Sequence, residues 1–177
     1  KDYMKKRKIT NIAAGVLVVL LLVLVVFTVY TRKSSEYKSE LSSILAIGDT
    51  DSKKLSSTKL TCTRESDNLK ISDIYLNETN NVKQIRMIAA YSKPFVHSDI
   101  FEDVEISLRY SNGDDVTDNV TINTYSLKYY LSNGIGLVLE MDSETLKKVN
   151  DRGLVLNIKC NDGKAYADAV VNLYDGE

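Results

Sequence analysis

From Ile12 to Tyr30 the chain runs nineteen residues without a charge, IAAGVLVVLLLVLVVFTVY, with Thr28 as the only polar side chain before the closing Tyr30. As a helix rising ~1.5 Å per residue, this stretch is about 28 Å long, close to the hydrocarbon thickness of a bilayer. Secretory leader cores are shorter, roughly 7–15 residues, and end in small residues at a cleavage site. Here the exit is Phe27-Thr28-Val29-Tyr30-Thr31-Arg32, with bulky side chains where a peptidase needs small ones. The expectation is therefore a retained transmembrane helix over 12–31. It holds no ionisable group, which removes an ion or proton pathway through this chain alone.

Charge sets the expected orientation. Residues 1–33 carry seven Lys or Arg against Asp2, whereas residues 34–177 carry sixteen against twenty-three Asp or Glu. The cluster Lys5-Lys6-Arg7-Lys8 belongs on the cytoplasmic side by the positive-inside bias. Residues 1–11 are thus read as a cytoplasmic basic tail, and the rest as an extracytoplasmic part of a cell-membrane protein. The acidic remainder argues against nucleic acid as a partner, because phosphate contacts need a basic face.

Beyond Lys33, Tyr37, Leu41, Ile44 and Leu45 recur at helical spacing, so residues 32–48 read as a juxtamembrane amphipathic stalk ending at Gly48. The expected packing partner of its apolar stripe is the chain's own domain. Residues 49–57 read as a linker. Their Asp49-x-Asp51 start lacks the Gly and Glu of a calcium loop, since Lys54 and Leu60 hold those positions.

From Leu55 the hydrophobic period changes to two. Val104, Ile106, Leu108 and Tyr110 alternate with polar residues, and Leu154, Leu156, Ile158 and Cys160 alternate with Val155, Asn157 and Lys159. Further strands are expected over 55–63, 69–76, 82–92, 121–131, 135–141 and 165–174. Ser111-Asn112-Gly113-Asp114, Ser132-Asn133-Gly134 and Asn161-Asp162-Gly163-Lys164 read as hairpin-type turns. One short helix is expected from Asp142 to Asn150, with Asp142 as N-cap and Gly153 beyond its end. Residues 58–177 are accordingly expected to form an immunoglobulin-like antiparallel β-sandwich.

Few residues suggest chemistry. Cys62 and Cys160, the only cysteines, both fall in phase with core positions and are a possible disulfide if their strands sit in opposite sheets. Otherwise they are small buried hydrophobes. His97 is the only histidine, in a stretch with the only proline. Lys93, Pro94, Phe95, His97, Asp99 and Phe101 form the candidate recognition loop, because long connections concentrate function. One imidazole without a second nitrogen or sulfur ligand falls short of a transition-metal site. Asp114, Asp115 and Asp118 form an acidic turn, and Tyr129 and Tyr130 point to opposite sides of one strand. Asn77 and Asn119 stand in glycosylation sequons, relevant only in a eukaryotic secretory pathway.

No nucleophile elbow, phosphate loop or paired-cysteine metal motif is present. The sequence thus predicts a non-enzymatic protein without cofactor or metal, acting as a protein-protein or cell-envelope interaction module. The alternatives are a small-ligand binding or sensing module for a sugar, peptide or ion, and a structural subunit of an envelope assembly.

Overall fold

The computed structural model describes residues 2–55, 60–65, 69–79, 81–91, 100–116, 119–129, 132–161 and 166–173. The chain divides into two compact units, residues 1–39 and residues 40–177. The protein is mainly β, with antiparallel sheets and one long apolar N-terminal helix.

That helix, α1, spans Asp2–Leu45 and crosses the boundary between the units. It is long and apolar enough to cross a membrane. Its Val-rich sequence has modest helix propensity in water, but a helix satisfies every backbone donor internally, which a hydrocarbon surround demands. Thr28 donates its hydroxyl to the Leu24 carbonyl at 2.8 Å, so this polar group is also satisfied within the helix. From Ile12 to Tyr30 the large apolar side chains are exposed, with no protein covering them. Just beyond, Glu36 pairs with Arg32 at 3.1 Å and Lys33 at 3.2 Å. The hydrogen bond from Lys33, then that from Arg32, holds the Glu36 carboxyl below its ordinary range.

The second unit begins at Glu40, within α1, and its described residues form ten strands. They are β1 Ser52–Lys54, β2 Leu60–Glu65, β3 Leu69–Ile71, β4 Tyr75–Thr79 and β5 Val82–Tyr91. They continue with β6 Val104–Tyr110, β7 Thr121–Tyr129, β8 Ser132–Met141, β9 Leu154–Asn161 and β10 Tyr166–Leu173. One sheet runs β1-β4-β5-β8-β7, with β3 also paired to β5, and the other runs β2-β10-β9-β6. Their inward side chains meet in one core. Leu69, Met87, Leu137 and Leu139 come from the first sheet, and Leu108, Leu154, Leu156 and Ile158 from the second, all fully buried.

The two clearest alternations in the sequence pair with each other. Val104 lies opposite Cys160 and Tyr110 opposite Leu154, in unbroken register. A short helix, α2, spans Ser143–Arg152 and closes as expected. Asp142 accepts from the Thr145 amide at 2.6 Å, and this bond draws its carboxyl below the ordinary range. At the other end Gly153 donates to the Val149 carbonyl at 2.8 Å with a positive φ, a conformation that suits glycine.

Three local expectations change. Ser52–Lys54, read as linker, is an edge strand, held by pairing with β4 and by the 2.7 Å bond from Lys54 to Asp73. The expected strand over 69–76 splits because Ser72 takes over a ladder bond. Its hydroxyl accepts from the Ile88 amide at 2.9 Å, and a new strand starts at Tyr75. Ser132-Asn133-Gly134, read as a turn, lies inside β8, paired with Tyr129, Lys128 and Leu127.

Candidate functional site

Lys93, Pro94, Phe95, His97 and Asp99 lie outside the described residues, as do Asp118 and Tyr130. Phe101 packs against the core beside the fully buried Ile100. Asn77 is buried, which keeps its side-chain nitrogen from a glycan in the folded unit, and its amide oxygen accepts from the Thr79 hydroxyl at 2.7 Å. Asn119 is exposed. The Asp114 carboxylate accepts from the Asn112 amide at 2.8 Å and lies 3.8 Å from Arg152, so it is engaged within its own turn. Arg152 also stacks over the Tyr110 ring at 5.5 Å.

The two cysteines share a sheet rather than facing each other across the core. Cys62 lies opposite Val171 and Cys160 opposite Ala167, on the two flanks of β10 and four residues out of step. At ~4.8 Å per strand and ~3.3 Å per residue their α-carbons are roughly 16 Å apart, well beyond the reach of a disulfide. This register corrects the possible pairing. Cys160 is free and buried, and burial pushes its thiol up to about 11, which makes it an inert core residue.

The structure builds a different constellation, on the outer face of the first sheet. In an antiparallel sheet, paired residues share a face, and Ile88 on β5, Gly136 on β8 and Tyr125 on β7 stand in one cross-strand row. Ile88, Val138 and Leu127 are buried although they lie outside the inner core. The end of α1 lies against this row. A β-carbon placed on Gly136 would meet the Ile44 Cγ2 atom at 2.7 Å, so the glycine supplies the notch that Ile44 fills.

Polar groups then clamp the helix end. Helix C-termini leave carbonyls unpaired, and a cation complements them. The Arg86 guanidinium donates to the Ile44 carbonyl at 3.0 Å and the Ser43 carbonyl at 3.4 Å. Its Nε and second amino group donate to the Gln84 Oε1 atom, the former at 3.0 Å. Gln84 in turn donates to Glu140 at 2.6 Å. Three neighbouring strand residues thereby orient one another, and the last link is the helix.

The chain reverses just after this clamp. The Ile47 amide donates to the Ser42 carbonyl at 2.9 Å and the Ala46 amide to Ser43 at 3.2 Å, the double bond pattern of a Schellman end. Ala46 adopts the left-handed φ of 53° that glycine usually supplies, and Leu45 and Ala46 are both buried. The helix thus stops at Leu45, three residues before Gly48.

Sequence reasoning foresaw the apolar stripe of 37–45 but missed Gln84, Arg86, Gly136 and Glu140. A glycine between Ile135 and Leu137, inside an apolar strand, was the available signal of a close approach. Among the described residues, no group of three His, Cys, Asp or Glu is arranged to hold a metal. No family model, curated protein or solved structure matches the chain.

Proposed function

We propose that this is a single-pass membrane protein, N-terminus in the cytoplasm, that displays its β unit outside as a non-enzymatic protein-protein or cell-envelope interaction module. The observation that carries the reading is α1. No turn or coil residue interrupts the chain between its apolar stretch and the turn clamped by Arg86. A removable leader has no reason to share a helix with residues built into a folded unit.

The finer fold reading is an immunoglobulin-like sandwich. The order β4-β5-β8-β7 matches the A-B-E-D sheet of a constant-type domain, and β6-β9-β10 matches C-F-G. The unit departs from that pattern in adding β2 beside β10, and in lacking both the tryptophan and the inter-sheet disulfide. Such sandwiches serve as scaffolds for many recognition surfaces, so the connectivity supports display rather than any particular partner.

Alkaline extraction of membranes from cells making the full chain tests the anchor, and protease added to spheroplasts tests its direction. The expected result is a chain that stays in the pellet and loses residues 58–177 to protease while Lys5–Lys8 remain protected. Release into the supernatant, or protection of the β unit, would overturn the proposal.

A further inference from the structure

We infer that the outer edge of β7 is a homotypic docking edge, through which two copies of this chain pair antiparallel over Thr121–Tyr129. The inference deepens the interaction-module reading and rests on it.

Sheet edges expose unpaired backbone donors and acceptors, and proteins normally guard them with short strands, bulges or charges. Among the described strands, three sheet edges carry such guards. On one side of the first sheet, β1 and β3 have three residues each, and Lys54 of β1 is tied to Asp73. In the second sheet, β2 carries Arg64 and Glu65 and has a register irregularity against β10. At the other side of that sheet β6 bears exposed Glu105 and Arg109, and a bridge from Asp115 to Arg109 covers its end.

Strand β7 differs. It has nine residues, pairs with β8 without a bulge, and carries no proline and one charge, Lys128. Among the described residues no backbone group outside β8 bonds to it. Thr121, Thr124, Tyr125 and Ser126 are exposed, Tyr125 at 47%.

The sequence of β7 suits a second copy of itself. Full antiparallel overlap of 121–129 puts the two-fold axis at Tyr125, which then faces its own counterpart. Thr124 falls opposite Ser126, Asn123 opposite Leu127, and Lys128 opposite Ile122, so no like charges meet. Aromatic and hydroxyl pairs of this kind favour strand association, and a two-fold contact of one edge with itself closes at a dimer.

The test uses the full chain in detergent micelles, with cysteines introduced singly and oxidised, and the unmodified chain as background. Tyr125→Cys is expected to give a disulfide-linked dimer, whereas Thr121→Cys and Ser107→Cys on β6 are not. Adding Thr124→Lys and Ser126→Lys sets lysines against each other twice and should weaken dimerisation by about tenfold or more. Equal linkage at positions 121 and 125, absence of linkage at 125, or a dimer indifferent to the two lysines would overturn the inference. If the lysine variant fails to fold, the contrast between 125 and 121 still decides. A chain that links at 125 but is released by alkali would refute the anchor alone, and one that stays in membranes without linking would refute the edge alone.

Discussion

Leu156→Ala is expected to destabilise the β unit by about 2–5 kcal/mol, read from the midpoint of denaturant unfolding of the full chain in micelles. Leu156 is fully buried in the second sheet, between Leu108 and Val171 on its neighbouring strands, and both neighbours are also buried. Truncation therefore opens a cavity that the flanking strands cannot collapse into without breaking their ladders. Ser107→Ala, one row away on the exposed side of β6, should stay within about 0.5 kcal/mol. A small effect at Leu156 would mean that the two sheets do not share a dry core.

Gly136→Ala is expected to be destabilising even though alanine suits a strand better than glycine does. The added methyl would sit 2.7 Å from the Ile44 Cγ2 atom and 3.2 Å from its Cδ1 atom. Overpacking of this kind costs about 1–3 kcal/mol, which outweighs the gain in strand propensity. The cause is identified by a double-mutant cycle. Ile44→Ala removes the clashing atoms, so the pair of substitutions should be less damaging than the sum of the two alone. Simple additivity would show that Ile44 and Gly136 do not touch.

These two experiments probe features that were unequally visible in the sequence. The inner core was legible because burial on one face of a strand imposes a period of two. Val104–Tyr110 and Leu154–Cys160 carry it, and they became adjacent strands with nearly the expected bounds. The α2 caps were legible because they depend on local chemistry at Asp142 and Gly153. Which strands share a sheet was not, since periodicity fixes a strand's face and not its neighbour. The cysteine pairing failed for that reason, as β2 and β9 flank the same strand.

The junction was half legible. The stripe that includes Leu41, Ile44 and Leu45 announced a helix with something to bury. Its receptor did not, because Arg86 reaches carbonyls more than forty positions back along the chain. Nothing local in Gln84-Ile85-Arg86 marks it as a helix cap. Only the fold brings a cation from the middle of a sheet to the Ile44 carbonyl that the helix end leaves without a backbone donor.

On the proposed reading, one helix serves both as membrane anchor and as a built-in part of the β unit. Hydrogen exchange of the full chain in lipid bilayers tests both roles at once. Slow exchange is expected in two places, across 12–30, where the proposed anchor would hold helical amides in hydrocarbon, and at Ala46 and Ile47, whose amides bond back to the Ser43 and Ser42 carbonyls at the helix end. Exchange at 46 and 47 as fast as in an exposed loop would contradict the claim that the helix is part of the β unit, and rapid exchange across 12–30 would contradict the anchor.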